Sequence, residues 1–199
     1  MFLDKIPDLA EHFIYGNDDM YILNKLTPED FFDTKGNPKV SMREIAIDNS
    51  ASQFNKVCWN NYHHIAKKLG IIKKEQWFKR PIHSIIPYRK QTCIRVLDLM
   101  QNDIYRNLSA FRTDLQHNQY IYACYEELTG NLKKSFINFV YMSTNKDVNS
   151  ITETIGNPNI QIFCLNNVVV ANVEQWHKNI KLITEAFDKK FTDKSYFEK

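Results

Sequence analysis

The sequence has 199 residues, 43% of them apolar and 13% aromatic, and its formal net charge is only +3. A chain of this length and composition can fill one sizeable hydrophobic core, which argues against intrinsic disorder and favours a single domain over residues 1–199. The basic residues are dispersed, so the charge gives no indication of a nucleic-acid partner, although it is compatible with an acidic ligand.

The cysteines and the apolar runs indicate the compartment. Four cysteines are widely spaced with no Cys-x-x-Cys pair, which predicts reduced, buried thiols in a cytoplasmic protein: Cys58, Cys93, Cys124 and Cys164. No apolar run approaches the roughly 18 residues of a transmembrane helix, and the first residues carry acids where a signal peptide would be basic and apolar. We therefore predict a soluble protein, which is compatible with work beside a membrane.

The first predicted element is a short strand from Phe13 to Tyr15, and a second extended piece runs from Met20 to Leu23. Between them lie Gly16, Asn17, Asp18 and Asp19. An unpaired carboxylate at the end of a buried strand costs several kcal/mol, so these acids imply a cationic partner. The residues that follow, Thr27-Pro28-Glu29-Asp30, predict a short helix that starts at a proline.

The middle of the sequence is predicted to form three helices. The first is predicted from Ser52 to Leu69, with Gly70 as its C-cap. Extended residues through Ile86 precede a second helix, which Pro87 is expected to start. A third helix is predicted from Asn118 to Leu128.

The C-terminal part alternates between strand and helix. Phe136 to Met142 is strand-like, Ile160 to Leu165 is an apolar run that ends at Asn166-Asn167, and an apolar stripe at helical spacing follows from Val173 to Phe191. This alternation predicts an α/β fold.

Two apolar runs, IYGNDD and IFCLNN, end in polar clusters. Ligands of open α/β sheets bind outside the carboxyl ends of strands, so these polar residues are candidates for one crevice: Asn17, Asp18, Asp19, Asn166 and Asn167. Polar strand ends are also common without any ligand. A pair of carboxylates such as Asp18 and Asp19 can hold Mg²⁺ against the diphosphate of a nucleotide sugar, or one can take a proton from an attacking hydroxyl.

Three basic residues are candidates for binding an anion. His83 and Lys90 flank the entrance of the second helix, where backbone N–H groups favour negative charge, and Arg112 lies at a junction between helices, where its guanidinium could grip phosphate bidentately. The alternatives are a surface histidine beside a cap and a solvated loop arginine. His63 and His64 are adjacent on a helix and cannot face one metal, so we interpret them as structural or surface residues.

Longer segments resemble a known family. IPDLAEHFIYGNDDMYILNKLTPEDFF is similar to the second conserved region of the Stealth family of hexose-1-phosphate transferases. HSIIPYRK and SAFRTDLQHNQYIYACYEELTG resemble its third region, and IFCLNN through DKSYFEK resembles its fourth. The family includes bacterial capsular and exopolysaccharide phosphotransferases. The resemblance implies an α/β fold with a partial Rossmann-like nucleotide-sugar transferase sheet and several flanking helices.

The resemblance also implies a reaction and its residues. The sugar-1-phosphate of a UDP-sugar would pass to a hydroxyl of a glycan acceptor, with release of UMP. Asp19 would be the general base, and His83 and Arg112 would stabilise charge on the transferring phosphoryl group. The other predicted contacts to donor or metal are Asn17, Asp18, Lys90, Asn166 and Asn167, with Mg²⁺ held at Asp18 and Asp19.

Two departures from the family pattern bear on this prediction. The family begins with a region resembling IDxVxTWVDGxD, which is absent here, so we predict an N-terminally truncated domain and a partner chain that carries the missing region. Asn167 also stands where the family has a carboxylate, and a neutral amide binds Mg²⁺ more weakly. A non-catalytic companion chain and a metal-dependent glycosyltransferase that uses NDD remain alternatives. We expect the protein to act in the cytoplasm, at or near the inner face of the membrane.

Overall fold

The computed structural model describes residues 2–168 and 172–193. Helices and strands are mixed throughout, and both parallel and antiparallel pairing occur, which confirms the predicted α/β class. The described residues form two compact units, one made of residues 2–15, 28–82 and 86–136 and the other of residues 16–27, 83–85, 137–168 and 172–193. The family-like ending KSYFEK, residues 194–199, lies outside the described residues.

The first unit contains three of the longer helices and two small sheets. Its elements in chain order are β1 (His12–Tyr15), α1 (Pro28–Phe31), β3 (Met42–Ala46), α2 (Gln53–Lys68), β4 (Trp77–Pro81), β5 (Ile86–Arg89), α3 (Lys90–Arg106) and α4 (Tyr120–Leu128). Strands β1 and β5 pair antiparallel, as do β3 and β4. The antiparallel pair β3 and β4 was not predicted from the sequence.

One apolar core joins the elements of this unit. Ile65 of α2, Met100 of α3 and Ile121 of α4 are fully buried, together with Phe78 from β4. The helix α2 begins as its sequence predicts, because the side chain of Ser52 accepts a hydrogen bond from the backbone N–H of Asn55.

The predicted start of the second helix at Pro87 is wrong. Pro87 lies in β5, opposite Ile14 of β1, and α3 begins at Lys90. The sheet formed by β1 and β5 has two strands, and a proline is tolerated in such a strand where its missing N–H is not needed for pairing.

The second unit is a three-stranded sheet with two helices. Its elements are β2 (Met20–Ile22), β6 (Phe139–Ser143), α5 (Val148–Gly156), β7 (Ile162–Asn166) and α6 (Val173–Lys190). The strand β7 is central, with β2 antiparallel on one side and β6 parallel on the other. Because β6 and β7 are parallel, α5 serves as the crossover between them.

Alternation along β7 decides which side chains face the helices. Phe163 and Leu165 pack in one apolar cluster with Ile151 and Ile155 of α5 and Ile183 of α6. Successive strand residues point to opposite faces, so Cys164 points away from these helices. Its neighbour in register on β6 is Tyr141, which therefore lies on the same face.

The four cysteines are all free and buried, in agreement with the predicted buried thiols. Within residues 2–168 and 172–193, no helix has both the length and the apolar composition needed to cross a bilayer.

Candidate functional site

The acids that interrupt the N-terminal strands form a turn that leads into β2. The backbone N–H of Met20 donates to the carbonyl of Asn17 at 3.3 Å, so Asp18 and Asp19 occupy the two central positions. Short polar residues favour such positions because their side chains tolerate turn geometry. The turn explains why the apolar run breaks at this point.

The backbone of Asp19 is anchored to the central strand of the second unit. The N–H of Leu165 donates to the carbonyl of Asp19 at 2.9 Å, which extends the antiparallel pairing of Met20 with Cys164 by one residue. Since β2 runs antiparallel to β7, the start of β2 meets the carboxyl end of β7. The acids therefore lie at the edge of the sheet where the polar end of β7 also lies.

His83 lies beside Asp19, although it comes from a different part of the sequence. It lies in the short segment His83–Ile85, which connects β4 to β5 in the chain and belongs to the second unit. A Cβ on Gly16 would lie 3.3 Å from Cγ1 of Ile85, so the missing side chain of Gly16 allows these two segments to approach closely.

The carboxylate of Asp19 and the imidazole of His83 form a pair. Nε2 of His83 lies 3.5 Å from Oδ2 of Asp19, and both side chains are partly buried, with exposed fractions of 31% and 18%. The ring of Tyr141 meets the ring of His83 edge to face, with centroids 5.9 Å apart. The sequence predicted a partner for these acids, and the structure places the imidazole of His83 beside the carboxylate of Asp19.

The thiol of Cys164 contacts the same carboxylate. Its Sγ donates to Oδ2 of Asp19 at 3.2 Å. Burial, and then the hydrogen bond and charge of Asp19, raise the pKa of the Cys164 thiol to about 12. A thiol with a raised pKa is a poor nucleophile at neutral pH, so this cysteine acts as a hydrogen-bond donor that orients Asp19.

The second oxygen of Asp19 has a different environment. Oδ1 is buried and has no hydrogen-bond partner among the described residues. A buried carboxylate oxygen without a partner is costly, and such atoms in native proteins call for an explanation by function or by a bound group. Oδ2 of Asp19 thus contacts both His83 and Cys164, whereas Oδ1 has its capacity to accept a hydrogen bond unused among the described residues.

Asn166 ends β7 and Asn167 follows it, and both form hydrogen bonds with Thr144, which follows β6. The N–H of Thr144 donates to the carbonyl of Asn166 at 3.0 Å, and its hydroxyl donates to Oδ1 of Asn167 at 3.1 Å. Thr144 is itself buried. The amide oxygen of Asn167 therefore has a structural partner, while the predicted role of both asparagines in substrate binding stays a prediction.

The contacts described for the Asp19 carboxylate and the His83 ring involve none of the remaining predicted residues. Asp18 is exposed in the turn beside Asp19, and Asn17 is partly buried. Arg112 belongs to the first unit, on the exposed segment between α3 and α4, where its carbonyl accepts a hydrogen bond from Gln53 at 3.1 Å. The predicted pairing of Arg112 with Asp19 and His83 on one phosphate stays a prediction.

Lys90, also in the first unit, is the first residue of α3. The N-terminus of this helix, which the sequence suggested for an external anion, receives the chain's own Glu11. The N–H of Lys90 donates to the carbonyl of Glu11 at 2.8 Å, and the N–H of Gln91 donates to its Oε1 at 3.2 Å. A carboxylate at this position satisfies free N–H groups and complements the helix dipole. A contact of the Lys90 side chain with substrate stays a prediction.

The donors around Asp19 do not suit the predicted magnesium ion. Mg²⁺ prefers oxygen ligands in octahedral geometry, whereas the groups nearest to this carboxylate are an imidazole nitrogen and a thiol sulfur. A magnesium site at Asp18 and Asp19 stays a prediction, and no catalytic step is assigned to it.

Sequence reasoning missed two members of this site. Cys164 was interpreted only as a buried thiol, and Tyr141 was not singled out. A signal for Cys164 was present, since it lies two residues before the polar pair Asn166-Asn167 on a strand already selected. Tyr141 depends on the register of β6 against β7, which the local sequence does not specify.

Comparison with known proteins gives several relatives of one kind. No protein-family model matches the chain. The exopolysaccharide phosphotransferase CpsY of Mycobacterium leprae is 26% identical over 172 residues, which cover 83% of this chain and 32% of that protein. The exopolysaccharide phosphotransferase cps2G of Lactiplantibacillus plantarum is 26% identical over 228 residues, covering 98% of this chain and 65% of that protein.

A third relative matches a shorter part. The capsular polysaccharide phosphotransferase LcbA of Aeromonas hydrophila is 32% identical over 116 residues, which cover 56% of this chain and 32% of that protein. The chain thus spans between about one third and two thirds of the length of these relatives. These matches confirm the predicted resemblance, and the chain is similar to bacterial exopolysaccharide and capsular polysaccharide phosphotransferases.

Proposed function

We propose that this chain acts in the synthesis of a bacterial capsule or exopolysaccharide by transferring a hexose-1-phosphate unit from a UDP-sugar to a sugar hydroxyl. The observation that carries the proposal is the pair formed by Asp19 and His83, 3.5 Å apart, in a homologue of polysaccharide phosphotransferases. Each residue comes from a segment that resembles a conserved region of the family, so the pair joins two motifs that are 64 positions apart (83 − 19).

In the proposed reaction, Asp19 accepts the proton of the acceptor hydroxyl. The hydroxyl oxygen then forms a bond to the phosphorus that carries the donor sugar, while the bond from that phosphorus to the oxygen of UMP breaks. The products are a phosphodiester between two sugars and free UMP. We assign this proton to the carboxylate of Asp19, which still has an acceptor oxygen, Oδ1, without a hydrogen-bond partner among the described residues.

His83 has a complementary role in this proposal. Charge on the phosphoryl oxygens must be met by a donor or a cation during transfer, and positioning with electrostatics supplies most of the acceleration in such reactions. The contact with Asp19 orients the imidazole, and Tyr141 packs against the same ring. Cys164 donates to the same oxygen of Asp19, Oδ2, so the base has a defined orientation before substrate arrives.

The other predicted residues complete the proposal as substrate contacts. Arg112 would grip the donor's diphosphate bidentately, with Lys90 as a second cation. Asn17, Asp18, Asn166 and Asn167 would contact the donor or acceptor. We place the reaction in the cytoplasm, at or near the inner face of the membrane, and we retain as a candidate partner a chain that carries a segment resembling IDxVxTWVDGxD.

The test is to incubate the full chain with UDP-sugars that carry label in the sugar and in the β-phosphate. Transfer of sugar-1-phosphate releases UMP and leaves both labels in an acid-labile product. Release of UDP with only the sugar label in product would identify a glycosyltransferase instead. If the chain is inactive alone but active with a protein that carries a segment resembling IDxVxTWVDGxD, the companion-chain alternative holds.

A further inference from the structure

The side chains of Asp19, His83 and Cys164 bring three different metal-binding atoms together. A carboxylate oxygen, an imidazole nitrogen and a thiol sulfur all lie within 4.8 Å of one another. In a tetrahedral zinc site, bond lengths of roughly 2.0 to 2.3 Å place ligand atoms about 3.3 to 3.6 Å apart. The distance from Oδ2 of Asp19 to Nε2 of His83, 3.5 Å, falls within this range, and the distance from Oδ2 to Sγ of Cys164, 3.2 Å, lies just below it.

A second observation points to a bound cation. Oδ1 of Asp19 is buried without a hydrogen-bond partner among the described residues, and a metal ion is one group that would satisfy such an oxygen. The side chains of Asp19 and His83 are 18% and 31% exposed, so an ion can reach the cluster from solvent.

The chemistry of the donors selects the type of ion. Thiolate and imidazole are softer ligands than carboxylate and favour zinc-like metals over Mg²⁺. A thiolate and a carboxylate together carry two negative charges, which balance a divalent cation when the imidazole is neutral. Three protein ligands also leave one tetrahedral position open, as in zinc sites that bind water or substrate.

We infer that Asp19, His83 and Cys164 form a binding site for a thiophilic divalent metal ion of the zinc class, with one open coordination position. On binding, the Cys164 thiol releases its proton to solvent, and His83 binds through its unprotonated Nε2. This inference does not rest on the proposed function. The two are linked in one respect, because an Asp19 oxygen that binds the metal cannot act as a general base at the same time.

Cobalt(II) is the probe, since a bond between Co²⁺ and a thiolate produces a charge-transfer band in the near ultraviolet. The metal-free full chain is titrated with Co²⁺, and Zn²⁺ or Mg²⁺ is then added in competition. We expect one Co²⁺ per chain, the thiolate band, displacement by Zn²⁺, and retention of Co²⁺ in excess Mg²⁺. The readout is spectroscopic and does not depend on catalysis, so it separates failure of this inference from failure of the proposed function.

Variants test two of the three ligands separately. Cys164→Ser should abolish the thiolate band, and His83→Gln should weaken Co²⁺ binding by more than about 100-fold, beyond the usual cost of changing an outer-shell partner. Cys58→Ala removes a thiol in the first unit and should keep the band. Because His83 is partly exposed, its variant remains informative if Cys164→Ser fails to fold. Absence of the band in the parent chain, or its persistence in a folded Cys164→Ser chain, would overturn the inference.

Discussion

Nε2 of His83 lies 3.5 Å from Oδ2 of Asp19, although the two residues are 64 positions apart in the sequence (83 − 19). The pair is local to one compact unit, because residues 16–27 and 83–85 both belong to the unit built on β2, β6 and β7. A chain segment of only three residues thus brings an imidazole to a carboxylate at the edge of this sheet.

Asp19→Asn should lower sugar-1-phosphate transfer by at least about 100-fold, because an amide cannot accept the hydroxyl proton that a general base removes. The change is nearly isosteric and keeps the backbone bond to Leu165, so we expect the melting temperature to change little. The labelled-donor assay measures the first effect and circular dichroism the second.

The matched control is Asp188→Asn, which makes the same chemical change on an exposed position of α6 in the same unit. It should keep the parent rate. An Asp19→Asn chain with activity within threefold of the parent would remove Asp19 from the base role.

A second prediction concerns His83 and Arg112 as joint contacts to the donor's diphosphate. Arg112→Lys keeps the charge but loses the planar fork, and it should still impair transfer strongly. Combining it with His83→Ala should cost less than the product of the two single losses, because groups that act on one phosphate act as a unit. Rates of the single and double variants in one assay give the coupling.

Arg106→Lys serves as the control for the arginine change, since Arg106 is exposed at the end of α3. Its rate should match that of the parent. Independent multiplicative losses for His83 and Arg112 would show that the two residues do not share a phosphate.

A third prediction concerns the stability of the first unit. Glu126 is buried and accepts two hydrogen bonds from Arg89, at 2.9 and 2.6 Å, and a further one from Thr92. Glu126→Gln removes the negative charge and leaves the guanidinium of Arg89 without its counterion. We expect the free energy of unfolding to fall by about 3 kcal/mol, as is typical when one partner of a buried ion pair is lost. Urea unfolding measures this change.

The adjacent residue offers the control. Glu127 pairs with Lys79, whose side chain is 37% exposed, so Glu127→Gln should cost less than about 1 kcal/mol. Equal losses for the two variants would contradict the view that burial makes the Glu126 pair the more costly one to break.

A fourth prediction is a loss of stability in mild acid that originates at His117. Burial, and then the neighbouring His64, lower the pKa of His117 from 6.5 to about 4, and its Nε2 lies 3.0 Å from Nδ1 of His64. Below pH 6.5 the unfolded chain binds a proton that the folded chain does not, so stability is lost as the pH falls from 6.5 to about 4. The loss attributable to this group is about 3 kcal/mol.

Unfolding free energies measured from pH 7.5 to pH 4 test this sign. The parent should lose stability more steeply than His117→Gln over that range, while His177→Gln, at an exposed position of α6, should follow the parent curve. A His117→Gln curve parallel to that of the parent would assign the acid sensitivity to other groups.

Local sequence determined most of the helices and the polar turn. Ser52 and Gly70 bracket α2 because capping depends on residues within one helical turn, and the apolar stripe from Val173 correctly indicated α6. The acids at positions 18 and 19 indicated an interruption of the strand, because a carboxylate without a partner is costly in a buried strand. The family resemblance, which also depends on short local segments of sequence, identified Asp19 and His83 as candidate catalytic residues.

Only the tertiary structure decided which groups meet. Pro87 was predicted to start a helix, but pairing with β1 keeps it in a strand, because a long-range partner outweighs a local preference. Cys164 and Tyr141 join the Asp19 site through the register of β7 against its neighbours, and the thiol reaches Asp19 across 145 positions (164 − 19). Register depends on packing over the whole sheet, since a shift by one residue would turn Cys164 toward the helices and remove it from the site.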